Sequence, residues 1–334
     1  MMTPRVSVVL TTYNQQAYIR EAVEAALRQT FASREVLVVD DGSTDETESL
    51  LAPYRDQITY IRQSNQGVAG SRNTGVLHAR GELVAFLDGD DLWHPKKLEV
   101  QVAAADREPR CGLIAVNGEE FSGDVVLRAS LFARRIEAGF PPDRSGLTLD
   151  CYAALLEGNV IATVSQVMIR KRVLDEIGLS DTRRKLSSDW DLYLRIAARY
   201  TFAFVNEPLV RWRYVPTGAS GPEAVRGLRW TLDDLEILKD RLRDAPSSFA
   251  PVIRDELARR RASAMWGAYH YGRQHGRLPA LRYLYKLFRK NPTHGRILAY
   301  LVALSLPQSL VRRLRQNVRR AHWRSTAHAK DYSG

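Results

Sequence analysis

Short apolar runs recur along the first hundred residues, and each ends in polar residues. Four of them are rich in β-branched side chains and too short for helices, so they predict buried strands: "VSVVLTT", "EVLVVDD", "ITYIRQ" and "LVAFLDGDD". The segments between them place apolar residues at helical spacing, as in "AYIREAVEAALRQT" and "GVAGSRNTGVLHA". A shorter helix follows the second strand, with Ser43 or Thr44 as its predicted N-cap. This alternation favours a parallel sheet with helices on both faces.

The pattern weakens between residues 110 and 160 and then returns. "NVIATVSQVMIRKRVLDEIG" predicts a strand and a helix, and "SSDWDLYLRIAARY" predicts another helix, capped by Ser187 or Ser188. The rest of the chain carries apolar residues at the i, i+3 and i+4 positions of helices. We therefore predict an α/β domain over residues 1–220 and an α-helical region over residues 221–334.

Composition places the chain among ordinary globular proteins, with 45% hydrophobic and 26% charged residues in 334. Cys111 and Cys151 offer neither a disulfide framework nor a zinc spacing, which suits a reducing compartment. We see no signal peptide, and the apolar stretch at residues 297–306 is shorter than the roughly 20 residues of a membrane-spanning helix. These features predict a cytoplasmic location.

Charge is unevenly distributed along the chain. The net charge is +11, but residues 257–330 contain 17 Lys and Arg and no Asp or Glu, which leaves −6 for the remainder. Cationic helices with an apolar face bind anionic membranes, so we rank a peripheral position on the inner face of the cytoplasmic membrane first. Packing of these helices within the protein is the second interpretation. We expect no nucleic-acid partner, because no aromatic-interleaved or helix-turn-helix pattern accompanies the charge.

Three carboxylates, those of Asp88, Asp90 and Asp91, follow the fourth predicted strand in "AFLDGDDLW". Like charges this close repel unless a cation lies among them. Mg²⁺ and Mn²⁺ commonly combine one or two carboxylates with the phosphates of a substrate. Ligands of such sheets bind beyond the carboxyl ends of the strands, where residues 11–14 and 40–43 also fall. The strand-end position favours a metal site over a solvated turn.

Four blocks stand in order over about residues 5–215: "VSVVLTTYNQQAYIREAVEAALRQTF", "EVLVVDDGSTDET", "NQGVAGSRNTGVLHARGELVAFLDGDDLWHPKKLE" and "SSDWDLYLRIA". Together they resemble family 2 glycosyltransferases. The resemblance implies an α/β fold of the A-type glycosyltransferase class, a Rossmann-like mixed sheet, here with an α-helical C-terminal extension. It also implies a nucleotide-sugar donor, a divalent metal (Mn²⁺ or Mg²⁺) on its diphosphate, and inversion at the anomeric carbon.

The same resemblance assigns donor-binding residues. Asp41 corresponds to an aspartate that accepts a hydrogen bond from N3–H of uracil or thymine, which implies a UDP or dTDP donor; a turn-capping acid is the alternative. Thr11 and Tyr13 correspond to residues that line the base pocket. Arg72 suits the diphosphate because its donors match phosphate oxygens, although a surface arginine fits the sequence equally well. Asn73 beside it is a supporting residue.

Within the acidic triplet, the resemblance makes Asp90 the direct metal ligand. It places Asp88 on the ribose or in the metal shell, and Asp91 supports the loop. In "LVRWRYVP", Arg213 matches the family's arginine, whereas the histidine often found two residues later is replaced by Val215. The resemblance therefore retains a donor contact through Arg213 and loses one through that histidine.

Asp189 corresponds to the family's catalytic base, which removes the acceptor hydroxyl proton as that oxygen attacks. The family usually has Glu-Asp, and this chain has Ser188 before the retained aspartate. Trp190 either stacks on a sugar ring or packs in the core. Asp191 is predicted to be a solvated or capping charge.

These features predict a single sugar transfer to a hydroxyl acceptor, a glycan or lipid-linked precursor of the cell surface. The Gln-x-x-Arg-Trp signature of processive synthases is absent from the sequence. A nucleotidyltransferase of similar fold is one alternative, but it should carry a Gly-rich basic loop where this chain has "TTYNQQAY". A non-catalytic membrane-associated scaffold is the other, and the joint retention of Asp41, Asp88, Asp90 and Asp189 argues against it.

Overall fold

The structure is a computed structural model that describes residues 3–132, 147–149, 151–216, 224–290 and 295–306. The chain divides into two compact units. The first contains Met1–Pro222 and Glu236–Glu256, and the second contains Glu223–Leu235 and Leu257–Gly334. The predicted domain boundary at residue 220 stays a prediction.

The amino-terminal part alternates strands and helices, as the sequence pattern predicts. Its strands are parallel, with β1 between β2 and β4. They are β1 (Val6–Thr12), β2 (Arg34–Asp40), β3 (Thr59–Arg62) and β4 (Leu83–Asp88). The helices between them are α1 (Ile19–Leu27), α2 (Thr47–Leu51) and α3 (Gly67–His78). Because parallel strands point the same way, the polar residues that follow β1, β2 and β4 meet at one edge of the sheet.

The following part of the chain makes the sheet mixed. Its strands are β5 (Leu92–Trp93), β6 (Cys111–Ser122), β7 (Val125–Arg128), β8 (Leu147–Leu149), β9 (Val167–Arg170) and β10 (Thr201–Arg213). Its helices are α4 (Lys97–Arg107), α5 (Tyr152–Glu157), α6 (Lys171–Ile177) and α7 (Ser188–Ala197). Across the described residues the order is β3-β2-β1-β4-β9-β6-β10-β5, with β7 on β6 and β8 on β10. Strand β9 is antiparallel to both neighbours, so the parallel arrangement predicted from the first hundred residues holds for β1 to β4 and the whole sheet is mixed, as the family resemblance implies.

The serine and threonine caps predicted for α2 and α7 are wrong. The residue before α2 is Glu46, and no side chain at that position caps the helix; the Thr47 N–H donates instead to Asp45 Oδ1 (3.1 Å). Ser187 does precede α7, but its side chain makes no capping hydrogen bond to the helix. In both places a nearby aspartate competes for the exposed N–H groups that a serine cap would take.

A buried lysine on α4, Lys97, is part of a contact network that links α4 to β5, β6 and a short 3₁₀ turn. Lys97 Nζ donates to Gln101 Oε1 (2.6 Å) and lies 3.8 Å from the centre of the Trp93 ring. Gln101 in turn donates to the carbonyl oxygens of Ile114 on β6 and Gln166 (2.9 and 3.0 Å). Burial lowers the pKa of Lys97 well below its ordinary value. This network fixes the short 3₁₀ turn at Val164–Gln166, which borders the acidic loop.

The carboxyl-terminal part is helical, as predicted. It contains α8 (Ala224–Asp244), α9 (Ala250–His275), α10 (Arg277–Lys290) and α11 (Gly295–Ser305). Among the described residues, no helix combines the length and the apolar character needed to cross a bilayer. The sequence pattern extends the last predicted helix beyond residue 306, to a segment that lies outside the described residues and contains Arg312, Arg313, Arg315, Arg319, Arg320 and Arg324.

Candidate active site

The loops that follow β1 and β2 are tied together at the edge of the sheet. Asn14 adopts a left-handed backbone conformation (φ 51°), which asparagine tolerates better than most residues. Its N–H donates to Ser43 Oγ (2.9 Å), and its Oδ1 accepts from the Thr44 N–H (2.8 Å). Thr11 is buried, whereas Tyr13 is 47% exposed. Of the two residues predicted to line a base pocket, Tyr13 has its ring available to a ligand.

Asp41 is buried and holds the start of α3. Its carboxylate accepts hydrogen bonds from Gln63 Nε2 (2.7 Å), Gln66 N–H (2.9 Å) and Gly67 N–H (2.8 Å). An ionised carboxylate offers about four acceptor positions, so these three bonds leave one for a further donor. Asp41 therefore combines the capping role with the capacity to accept one hydrogen bond from a base. Asp40 is fully buried, and its carboxylate accepts from the Ser43 N–H and the Tyr60 hydroxyl (2.8 and 2.7 Å).

Arg72 and Asp88 form an ion pair at the centre of the edge. Arg72 Nη2 lies 2.8 and 3.1 Å from the two Asp88 oxygens, and Thr11 Oγ1 lies 3.5 Å from the first of them. Burial lowers the pKa of Arg72, but the charge of Asp88, its hydrogen bonds and then the charge of Asp189 outweigh burial and leave the pKa raised. The surface-arginine interpretation is therefore wrong, because this guanidinium is mostly buried beside two carboxylates.

The charged form of Asp90 is disfavoured in the acidic loop. Burial, and then the charge of Asp88, raise its pKa to about 6, although Arg213 and a hydrogen bond from Gln15 oppose the shift. The loop is held close to β1 by the Gly89 N–H, which donates to Thr11 O (2.9 Å). A Cβ at Gly89 would lie 2.4 Å from Gln15 Oε1 and 3.1 Å from the Thr11 carbonyl oxygen, so a larger residue would push the Gln15 side chain aside.

Asp91 anchors the acidic loop to two other elements. It is buried, and its Oδ2 accepts from Ser165 Oγ (2.6 Å) and Thr163 Oγ1 (3.0 Å), while its Oδ1 accepts from the Arg213 N–H (3.0 Å). Ser165 Oγ also accepts from the Asp88 N–H (3.1 Å). These contacts make Asp91 a structural support for the loop. Sequence reasoning missed Ser165 and Thr163, whose only signal is a pair of hydroxyls inside an otherwise apolar run.

The charge of Asp91 is disfavoured even within this network. Burial, followed by the charges of Asp90 and Asp88, raises the pKa of Asp91 well above its ordinary value, and the Ser165 and Arg213 bonds only partly oppose the shift. Two of the three acids in this loop therefore hold a proton more tightly than a free aspartate does. A cation beside them would restore the ionised forms.

Arg213 closes the same edge from the end of β10. Its Nε donates to the Asp90 carbonyl (2.8 Å), and its Nη2 forms an ion pair with Glu21 (2.7 Å). The guanidinium also lies 4.7 Å from the ring centres of Tyr18 and Phe121. These contacts place a positive charge against the acidic loop.

Asp189 is the second residue of α7, and its charge interacts with that of Arg72. Its Oδ1 accepts from the Trp190 N–H (2.8 Å) and its Oδ2 from Asn159 Nδ2 (3.2 Å). Burial raises the pKa of Asp189, and the charge of Arg72 and then the Trp190 N–H offset part of that rise. The position thus holds a carboxylate with a higher proton affinity than usual next to a cation.

Tyr193 lies one helical turn after Asp189 and was not predicted. It is fully buried, and among the described residues its hydroxyl has no hydrogen-bond partner. Burial, and then the charge of Asp189, raise its pKa well above the ordinary value, so the phenol stays neutral. The i, i+4 spacing on α7 is the one sequence signal that could have pointed to it.

The remaining predicted residues have structural contacts. Asn73 exchanges two hydrogen bonds with the backbone of Ser180 (2.9 and 3.0 Å), which fixes the loop ahead of α7. Trp190 is buried and donates from Nε1 to Leu155 O (2.7 Å), so its ring packs in the core. The prediction for Asp191 is wrong, because this residue is buried and forms an ion pair with Arg195 (3.0 Å). An i, i+4 partner on the same helix compensates its charge.

The donor set for a metal is small. Within the part of the chain that the structure describes, no three His, Cys, Asp or Glu side chains converge on one point. Asp88 is paired with Arg72 and Asp91 is held by hydroxyls, which leaves Asp90 as the carboxylate least committed to other groups. Burial and the charge of Asp88 raise its pKa, and a cation beside it would favour the ionised form. The residues present therefore fit a hard cation held by one or two carboxylates together with substrate phosphates.

Comparison with known proteins identifies the family of this chain. The sequence model described as Glycosyl transferase family 2 matches residues 7–178, which is more than half of the chain. The chain belongs to this family. An uncharacterized glycosyltransferase of Rickettsia prowazekii is 28% identical over 212 residues, which covers 63% of this chain and 64% of that protein. The chain therefore spans just under two thirds of the length of this relative.

Solved structures share the fold. TarS 1-349 of S. aureus in complex with UDP-GlcNAc superposes with a TM-score of 0.66 at 18% identity, covering 90% of this chain and 84% of that chain. The mannosyltransferase PcManGT of Pyrobaculum calidifontis, in complex with GDP-Man and Mn²⁺, superposes with a TM-score of 0.56 at 21% identity, covering 91% and 86%. These likenesses confirm the predicted fold class of this family 2 member, with its mixed sheet and helical C-terminal region.

Proposed function

We propose that the protein is an inverting glycosyltransferase that moves one sugar from a UDP- or dTDP-linked donor to a hydroxyl acceptor. Family membership supports the general activity. The observation that carries the proposal is the position of Asp189, a carboxylate with raised pKa beside the Arg72–Asp88 pair at the carboxyl edge of the sheet. That edge is where ligands of such sheets bind. The catalytic residues all fall within the proposed domain of residues 1–220.

The donor nucleotide would lie across the ends of β1 and β2. Tyr13 offers an exposed ring, Thr11 lines the strand end, and Asp41 has one acceptor position left for an N3–H donor. Such a donor is present on uracil and thymine. Arg72 and Arg213 supply positive charge for the diphosphate, since guanidinium groups match phosphate oxygens.

The acidic loop would hold a divalent metal, Mn²⁺ or Mg²⁺, when the donor binds. Asp90 is its proposed ligand, Asp88 contributes to the metal or the ribose, and Asp91 keeps the loop in place through Ser165. A bound metal would neutralise the charge that grows on the departing nucleoside diphosphate. PcManGT, whose structure contains Mn²⁺, lends this proposal support from the same fold.

Asp189 would act as general base in a single displacement. The acceptor hydroxyl oxygen bonds to the anomeric carbon as its proton passes to the Asp189 carboxylate. At the same time the bond from that carbon to the diphosphate oxygen breaks, and the nucleoside diphosphate leaves with the electron pair. Attack from the opposite side inverts the anomeric configuration. The raised pKa of Asp189 makes it a stronger base than a free aspartate.

The acceptor is proposed to be a glycan or a lipid-linked precursor of the cell surface. A thermal-shift screen of UDP-, dTDP- and GDP-sugars with Mn²⁺ or Mg²⁺ would identify the donor. Proton NMR of the product formed with that donor would then report its anomeric configuration. Stabilisation by a UDP- or dTDP-sugar and an inverted product support the proposal. Stabilisation by GDP-sugars alone contradicts the donor, and a retained configuration contradicts the base.

A further inference from the structure

Helix α10 of the second unit has two different faces. Its inner face consists of Ala280, Tyr283, Leu284 and Leu287, which are buried and follow the i, i+3, i+4, i+7 spacing of one helical stripe. This stripe belongs to the core of the unit. A Cβ added to Gly272 of α9 would lie 2.6 Å from the Ala280 Cβ, so α9 and α10 approach closely there.

The opposite face of α10 is apolar and cationic at once. Leu278 is 60% exposed and Tyr285 is 56% exposed, and their seven-residue separation puts them on one side of the helix. Arg282 and Arg289, both exposed, follow each of them by four residues and share that side. A helix that buried all its apolar residues in the core would show only polar groups here.

Helix α11 also exposes apolar residues. Leu298 and Val302 are 52% and 50% exposed and lie four residues apart, on one side of the helix. Its buried stripe contains Ile297 and Leu304, and a Cβ added to Gly272 would lie 3.1 Å from the Leu304 side chain. Ile297 and Leu304 therefore pack in the core of this unit, whereas Leu298 and Val302 do not contribute to it.

We propose that this outer face binds the surface of an anionic lipid bilayer. We use the term outer face for the exposed residues Leu278, Arg282, Tyr285 and Arg289 of α10 together with the exposed residues Leu298 and Val302 of α11. Apolar side chains of a surface-lying helix enter the boundary between headgroups and acyl chains, while arginines extend to the phosphates. Each Lys or Arg near an anionic surface strengthens binding about fivefold.

Charge decides between a bilayer and a second copy of the chain. Residues 257–330 contain 17 Lys and Arg and no Asp or Glu. A symmetric contact between two outer faces would set arginines against arginines without a carboxylate from this region to compensate them. An anionic lipid surface supplies the missing negative charge. The proposal extends beyond sugar transfer, and it does not depend on the activity of the donor site.

The test is co-sedimentation of the full chain with vesicles of phosphatidylethanolamine and phosphatidylglycerol, and with vesicles of phosphatidylcholine alone. We expect binding to the anionic vesicles only. The double variant Leu278→Ser/Tyr285→Ser should bind about tenfold more weakly, because two apolar side chains no longer enter the bilayer. Arg282→Ala/Arg289→Ala should bind about 30-fold more weakly and become less sensitive to salt. Since all four residues are exposed, circular dichroism should show unchanged folding.

The matched control is Leu77→Ser, which removes a 71% exposed leucine from α3 in the first unit. It should bind as the wild type does, as should Asp90→Ala, which separates membrane binding from donor binding. Equal binding by both double variants and wild type would overturn the proposal. So would equal binding to neutral vesicles, or light scattering that shows a dimer dissociated by Leu278→Ser/Tyr285→Ser.

Discussion

Replacing Asp90 by asparagine should stabilise the ligand-free protein and abolish metal-dependent donor binding. Burial and the charge of Asp88 raise the pKa of Asp90 to about 6 in the folded protein, against about 3.9 for an aspartate in an unfolded chain. A difference of about two pKa units corresponds to about 3 kcal/mol of free energy of unfolding. Asparagine keeps the shape of the side chain and removes its charge.

The sign of the effect depends on pH. Because the folded pKa is the higher one, the folded protein binds the Asp90 proton more tightly than the unfolded chain does. The penalty is therefore absent below about pH 4, develops as the pH rises through about 6, and is complete near pH 8. The variant should match the wild type at about pH 4 and exceed its free energy of unfolding by up to about 3 kcal/mol at about pH 8.

The assay has two arms on the same proteins. Urea unfolding at the two pH values, with a chelator present, gives the free energy of unfolding. Isothermal titration of the donor with and without Mn²⁺ gives the metal-dependent part of binding. The matched control is Asp124→Asn, which removes an exposed carboxylate from the turn after β6 and should change neither quantity. A variant that is no more stable near pH 8, or that keeps metal-dependent donor binding, would refute the role given to Asp90.

Three other substitutions test the supports of the site. Asp41→Ala should lower the free energy of unfolding by about 1–2 kcal/mol, because α3 loses its cap, and should weaken UDP binding measured by calorimetry; unchanged UDP affinity would leave only the capping role. Ser165→Ala should destabilise by about 1–3 kcal/mol in urea unfolding, because buried Asp91 loses its shortest bond, and a neutral effect would contradict that support. Lys97→Met should become more stable relative to the wild type as the pH falls from about 10 to about 7. Because the folded pKa of Lys97 is lowered, the unfolded wild-type chain binds a proton over this range that the folded protein does not bind, and its free energy of unfolding falls. A pH-independent difference between the two proteins would argue against a buried neutral amine.

The first half of the fold could be predicted because its elements are local. Strands β1, β2 and β4 are continuous apolar runs, and the polar residues that end them fall at one edge by the geometry of parallel strands. Strand β6 could not be predicted in the same way. It is buried on both faces for most of its length, so it lacks the alternation of a half-exposed strand, and its partner β10 is distant in sequence.

The candidate site likewise contains residues that sequence motifs predict and contacts that only the folded chain brings together. The acidic triplet, Arg72 and Asp189 were named from motifs, and the structure shows which of these charges are buried and paired. The bonds from Ser165 to Asp91 and from Asp41 to the start of α3 depend on loops that meet only in the folded chain. Asp191 was mistaken for a solvated charge, because the residues that bury it belong to other elements.

The most direct test of the central claim is the transfer rate of Asp189→Asn with the donor found in the screen. Donor affinity should stay near the wild-type value, since the described contacts of Asp189 are with Asn159 and Trp190. Transfer should fall by about 10²–10⁴-fold, the usual contribution of a general base. The control Asp175→Asn, at an exposed position on α6, should transfer normally. An Asp189→Asn protein that transfers sugar at the wild-type rate would contradict the account.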